Sequence, residues 1–232
     1  MKMRHIWIYF FSLVCTLSVY SQTKTNDSIP VYKKKFGLRV GTDLFKITKS
    51  IVEKDYNGFE ITGDYRITKK LFLAAEIGNE NKTTDEPQLN FTTKGTYLKF
   101  GVDFNAHENW LDMENLIYIG GRYGTSTFSQ TLNSYSIYYN TDNFLGEHTV
   151  IQADKEFSGL SAHWIELVGG VKAEVLNNLF IGFSFRINYL ITQKRPDNFD
   201  NLYIPGFNRT YDGNWGVGFN YTVSYFIPLY KK

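Results

Sequence analysis

The sequence predicts an all-β chain closed into an antiparallel, up-and-down transmembrane β-barrel of eight strands, preceded by a cleaved N-terminal signal peptide. Three observations carry that expectation: the first residues are laid out as an export signal, apolar and polar residues alternate at period two in segment after segment, and short and long connections alternate between those segments. Composition agrees. Aromatic residues make up 17% of the chain, with 19 Phe, 17 Tyr and 4 Trp beside 19 Gly, a pairing suited to strands that must pack rings and turn corners. The 232 residues fit one domain or one barrel, and no polar linker divides them into two hydrophobic halves. With 25 Lys+Arg against 23 Asp+Glu, the net charge of +2 supplies no global field for nucleic acid or an acidic partner.

At the N-terminus, Lys2 and Arg4 form a basic region, Ile6 to Val14 an apolar one, and Val19, Tyr20 and Ser21 a cleavage site before Gln22. The apolar stretch is short of the ~20 residues that a spanning helix needs, and Ser12, Thr16 and Ser18 interrupt it. Residues 1–21 are therefore expected to be removed, 22–35 to form a periplasmic N-terminal segment, and 36–232 to form the barrel. Cys15 is the one cysteine; Val14 precedes it where a lipoprotein signal has a small residue. Cleavage leaves the mature chain without disulfides or thiol chemistry.

The mean hydropathy of -0.30 resembles that of a soluble protein, yet beyond Gln22 the alternation is that of strands crossing a bilayer. The first segment sets Phe36, Leu38, Val40 and Leu44 against Gly37, Arg39, Gly41 and Asp43. In the second, Phe59, Ile61, Tyr65 and Ile67 oppose Glu60, Thr62, Asp64 and Arg66. The third opposes Leu71, Leu73, Ala75 and Ile77 to Phe72, Ala74, Glu76 and Gly78, and the fourth Leu98, Phe100, Val102 and Phe104 to Tyr97, Lys99, Gly101 and Asp103. The fifth has Ile117, Ile119 and Tyr123 on one face and Tyr118, Gly120, Arg122 and Gly124 on the other. In the sixth, Ile165, Leu167, Val171, Ala173 and Val175 oppose Trp164, Glu166, Val168, Gly170, Lys172 and Glu174. The seventh, from Leu179 to Ile191, and the last, from Trp215 to Ile227, alternate without a break.

The connections test this independently, because outer-membrane barrels have short turns on one side and longer loops on the other. Residues 68–70 and 176–178 make tight turns and 105–113 a moderate one, whereas 46–56, 79–91, 126–160 and 192–213 are long and polar. With the N-terminus in the periplasm, every long loop falls outside. Ten strands is the alternative, since Tyr135, Ile137 and Tyr139 alternate and 149–157 could pair with them. Asp154, Lys155 and Glu156 in succession favour a hairpin extension instead.

The expected outer face carries no charge over most of its length, apart from His163 at one end. Inward fall Arg39, Asp43, Glu60, Asp64, Arg66, Glu76, Lys99, Asp103, Arg122, Glu166, Lys172, Glu174 and Arg186. An eight-stranded barrel is just wide enough to be filled by its own side chains, so charges of mixed sign spread over all strands are expected to pair as a lumen ion-pair network. Paired carboxylates also serve acid/base catalysis, but this even mixture suits structural ion pairs better.

The run from Val223 to Tyr230 looks like the terminal-strand signal read by barrel-insertion machinery, although Lys231 and Lys232 follow it and Pro228 removes a ladder donor. On that run, the export signal and the alternating strands, the mature chain resembles small OmpA/OmpX-type outer-membrane barrels. The Ser21–Gln22 boundary and the Tyr/Asn/Lys-rich style resemble outer-membrane proteins of Bacteroidota. The resemblance implies fold and a bacterial outer-membrane location, and no activity.

Motifs for chemistry are sparse. There is no phosphate loop, HExxH, GxSxG or Cys/His metal cluster, and His5, His107, His148 and His163 lie in different segments, so no metal or cofactor is expected. Ser161 and His163 share the lipid-facing side of one strand near its outer end, where lipid A deacylases of this barrel size keep a His/Ser pair, but no outward carboxylate lies on the neighbouring strands. A rim histidine at headgroup level is the plainer reading. Lys33, Lys34, Lys35, Lys69, Lys70, Lys231 and Lys232 gather on the periplasmic side, where they meet anionic headgroups or dock a periplasmic partner. Asp27-Ser28-Ile29 resembles the O-glycosylation motif of Bacteroidota.

The function expected first is that of a non-enzymatic barrel of structural or interaction type, an accessory subunit of a larger outer-membrane assembly. Its partners would be outer-membrane lipids, the insertion machinery during biogenesis and a protein of the envelope, with no nucleic acid. Phe128, Tyr135, Tyr138, Tyr139 and Phe144 would form its interaction loop. A lipid A-modifying enzyme using Ser161 and His163 is the second reading, and a narrow channel the third.

Overall fold

Eight strands form where the alternation runs: β1 (Lys35–Asp43), β2 (Tyr56–Arg66), β3 (Leu71–Glu86), β4 (Leu89–Asn105), β5 (Leu116–Tyr139), β6 (Glu147–Leu176), β7 (Leu179–Lys194) and β8 (Trp215–Lys231). The structure, a computed structural model, describes residues 34–107, 114–139, 147–197, 199–210 and 213–231. The export signal, Asp27-Ser28-Ile29, Lys33 and Lys232 lie outside the described residues. Each strand pairs antiparallel with the next, and β8 pairs with β1, closing the barrel. Closure removes the sheet edge wherever β1 pairs with both β2 and β8. No helix among the described residues is long and apolar enough to cross a membrane.

The two faces separate by polarity. Leu73, Ile77, Phe100, Val102, Ile119, Leu167, Phe183, Phe185, Val217 and Ile227 are exposed on the outside, while Arg39, Glu60, Glu76, Lys99, Glu166 and Arg186 are buried within. Period-two geometry requires this split, because successive side chains leave a strand on opposite sides. Tyr189 and Trp215 meet edge to face, 5.0 Å apart, on the outer surface near one rim, and Tyr65 and Tyr230 lie near the other.

Residues 126–160 add no strands of their own; they lengthen β5 and β6 into the expected hairpin extension, paired as far as Tyr139↔Glu147. Four expectations are corrected. Residues 79–91 are not a loop: β3 and β4 run on to Glu86↔Leu89, since Asn79 to Glu86 keep extending the same ladder. Residues 46–56 are largely taken up by helix α1 (Leu44–Val52), which also removes Leu44 from the first strand. Asp43 caps it, its carboxylate accepting from the Phe45 N–H at 2.8 Å. Phe36 is buried, stacked on Tyr230 at 5.2 Å, rather than on the lipid side. The cause is a bulge: Phe36 pairs with Tyr230 and Gly37 with Pro228, so the extra Leu229 breaks the alternation beside a proline that has no N–H to give. Last, 192–213 is not wholly a polar surface loop, because Tyr203, Ile204 and Phe207 are buried.

Candidate functional site

The interior is built in layers. At the tight-turn end Arg66 donates to Glu114 (2.5 Å) and to the Lys35 carbonyl (2.6 Å), with its guanidinium 4.9 Å from the Phe72 ring centre. Above it Asp64 takes both Arg39 (3.1 Å) and Lys172 (2.5 Å), and Arg39 lies 4.3 Å over Phe180. In the middle Arg186 bridges Glu76 (2.6 and 2.9 Å) and Glu166 (3.0 Å). Lys99 reaches Glu166 at 3.0 Å, the Trp164 indole donates to Glu166 at 2.7 Å, and Arg122 pairs with Asp103 at 2.8 Å. Four strands thus meet at the Glu76, Lys99, Glu166 and Arg186 cluster.

Nearer the mouth Glu60 accepts from Tyr97 (2.5 Å) and Asn220 (2.7 Å), and Asn220 also donates to Asp43 (2.8 Å). Glu80 accepts from Lys46, Tyr203 (2.7 Å), Tyr56 (3.2 Å) and the Gly206 N–H (3.1 Å). Burial first, and then the Glu80 carboxylate, push the Tyr203 phenol well above the usual tyrosine range, so it remains a donor. Gly206 has φ +81°, and a Cβ there would meet the Tyr97 ring at 2.5 Å, so the loop can close down only with glycine at this point. Tyr97, Phe128, Leu160, Trp164, Leu190, Ile204 and Phe207 pack as an apolar cluster across the mouth.

Every inward charge expected from alternation faces this interior, with Lys172 and Glu174 only half-buried. Glu174 accepts from the Asn178 N–H at 2.9 Å. The alternation did not find Lys46, Glu80 and Glu114. Glu80 continues the Glu76, Gly78 series and would have been found by carrying β3 two residues further. Lys46 sits on α1, for which Asp43 followed by apolar 44, 47 and 51 is the signal.

The arrangement satisfies charge, each carboxylate of the central layers being held by a cation or a hydrogen-bond donor. Between α1 and β8 remains a cavity of about 50 Å³ lined by Lys46, Lys49, Lys99, Arg186, Asn188 and Asn220 among others. A cavity of that size, lined by polar side chains, has room for ordered water. No group of three or more His, Cys, Asp and Glu that could hold a metal ion occurs among the described residues.

Ser161 and His163 lie on the outer face of β6, flanking the buried Ala162. His163 Nδ1 is 3.0 Å from the Tyr123 hydroxyl, and no hydrogen bond joins it to Ser161 among the described residues. The expected interaction loop is divided. Phe128 is corrected, being buried in the mouth cluster, because its position on β5 opposite Leu160 turns it inward. Tyr135 is half-buried, and the side chains of Tyr138, Tyr139 and Phe144 lie outside the described residues.

No curated protein matches the chain. Among solved structures it is similar to a major outer membrane protein from Thermus thermophilus, at 14% identity and a TM-score of 0.37, over 83% of this chain and 98% of that one. Residues 3–232 match the family DUF6048, described as a domain of unknown function, and the chain belongs to that family.

Proposed function

We propose that this protein is an exported, non-conducting and non-catalytic barrel of the bacterial outer membrane that acts as a structural or interaction subunit of an envelope assembly. The observation that carries this is the division of its two faces: an outer belt of apolar residues such as Leu38, Leu73, Phe100, Leu167, Phe185 and Ile227, around a lumen filled by paired charges. Such an outside suits hydrocarbon and nothing else, since a charge at the bilayer midplane costs roughly 2–4 kcal/mol on a barrel's lipid face. The paired charges that fill the inside support a lumen closed to ions. Similarity to small OmpA/OmpX-type barrels, and to those of Bacteroidota, belongs to the same proposal. The arm of β5 and β6 beyond the barrel, where β6 has no β7 partner before Ser161, is the surface offered to a partner.

The test is topological and electrical. A cysteine at Gln88, in the turn between β3 and β4, should react with an impermeant maleimide on intact cells, while one at Asn177 should not. The purified barrel should give no stable steps in planar bilayers. Labelling at Asn177 alone would invert the orientation, and ion-selective steps would overturn the closed lumen.

A further inference from the structure

One part of the barrel wall is not made of strand. β1 ends at Asp43, paired with Thr222, and its pairing with β2 ends at Thr42↔Ile61. β8 continues to Trp215 and β2 to Tyr56, so 215–221 on one side and 56–60 on the other have no strand between them. At ~3.3 Å per residue the opening is about 20 Å long on the β8 side. An open edge of this kind is not tolerated in hydrocarbon, where unpaired backbone groups find no water.

α1 stands in that opening, and side chains of α1 and of the end of β1 make part of the missing bonds on the β2 side. The Ser50 hydroxyl donates to the Gly58 carbonyl (3.0 Å) and accepts from the Gly58 N–H (2.8 Å), and Thr42 donates to the Glu60 carbonyl (2.8 Å). Its inner side carries Lys46, bound to Glu80, and Lys49, 4.3 Å over the Tyr56 ring. Toward β8, the Phe45 ring rests 4.7 Å from that of Phe219, a residue of the outer belt. The remaining arc holds Leu44, Ile47, Thr48, Ile51 and Val52 without a charge, and Ile51 and Val52 are 80% and 74% exposed. On either side of it stand Phe59, Ile61, Val217 and Phe219, all exposed and apolar.

We propose that α1 replaces the upper part of β1 as a segment of the wall, and that its outward face seats against the acyl chains of the surrounding bilayer. This rests on the membrane reading above. Continuity with the belt through Phe45 and Phe219 selects lipid, because a face in line with lipid-facing strands on both sides shares their solvent.

In a Cys15→Ser background, nitroxide labels on Ile51→Cys, Leu73→Cys and Lys54→Cys, in the full barrel reconstituted into dioleoylphosphatidylcholine vesicles, separate the outcomes. Collisions with oxygen report lipid and those with a water-soluble nickel chelate report water. Ile51 should match Leu73, oxygen-rich and shielded from nickel, while Lys54 should be open to nickel. Ile51 matching Lys54 with Leu73 still shielded would overturn the helix proposal alone. Nickel access at Leu73 would remove the membrane reading and this proposal with it.

Discussion

The middle of the lumen and its mouth are both closed, by opposite means. In the middle, Glu76, Lys99, Asp103, Arg122, Glu166 and Arg186 project from five strands and cancel one another's charge. At the mouth, a connection folds down and seals with the apolar Ile204 and Phe207, tied by Tyr203 and Gly206 to Glu80. Strand backbones are already held by the ladder, so only side-chain rotamers remain to be ordered. A loop must lose its freedom first, at roughly 1–2 kcal/mol per residue, and apolar burial, the Glu80 bonds and the bonds of Gln130 to Asp200 and Leu202 offset that. The middle is therefore part of the fold, and the mouth is docked onto it.

The sharpest way to break this contrast is Arg186→Glu, which sets a third carboxylate between Glu76 and Glu166. Leaving buried charges unpaired costs about 3–5 kcal/mol, so heat-resistant migration on gels should be lost. A compact band after that change would show that the middle does not hold the barrel together.

A smaller effect is expected from replacing 199–207 with Gly and Ser of equal length. The barrel should still fold and keep its gel band, melt at a lower temperature, and stay non-conducting because the charged layers lie below. Steady conductance in this variant would make the mouth the true seal.

The least effect should come from Arg209→Ala. Its 2.5 Å pair with Glu86 has both side chains 44% exposed, and such pairs contribute about 0–1 kcal/mol. A melting shift as large as that of the loop replacement would mean that the pair helps hold the connection down.

Much of this was legible because a strand prints its two environments on alternate residues. Arg186 between Phe185 and Ile187, or Glu76 between Ala75 and Ile77, could face only inward if the neighbours faced lipid. Eight strands follow from the same counting, since 149–157 lacks a continuous apolar face and carries Asp154, Lys155 and Glu156 in succession. Phe36 misled because a bulge shifts the period by one, and the extra residue lies on β8, far away in the chain.

The sequence by itself therefore determined the all-β class, the segments that become strands and, Phe36 excepted, the side on which their charged and apolar residues lie, because those are properties of neighbours along one strand. Only the tertiary structure decided which charges pair, that the connection after β7 enters the mouth, and that α1 stands in for the top of β1. Arg186 meets Glu76 across 110 positions and Tyr203 meets Glu80 across 123. Such contacts depend on the stagger and tilt with which the sheet closes, and no local pattern encodes those.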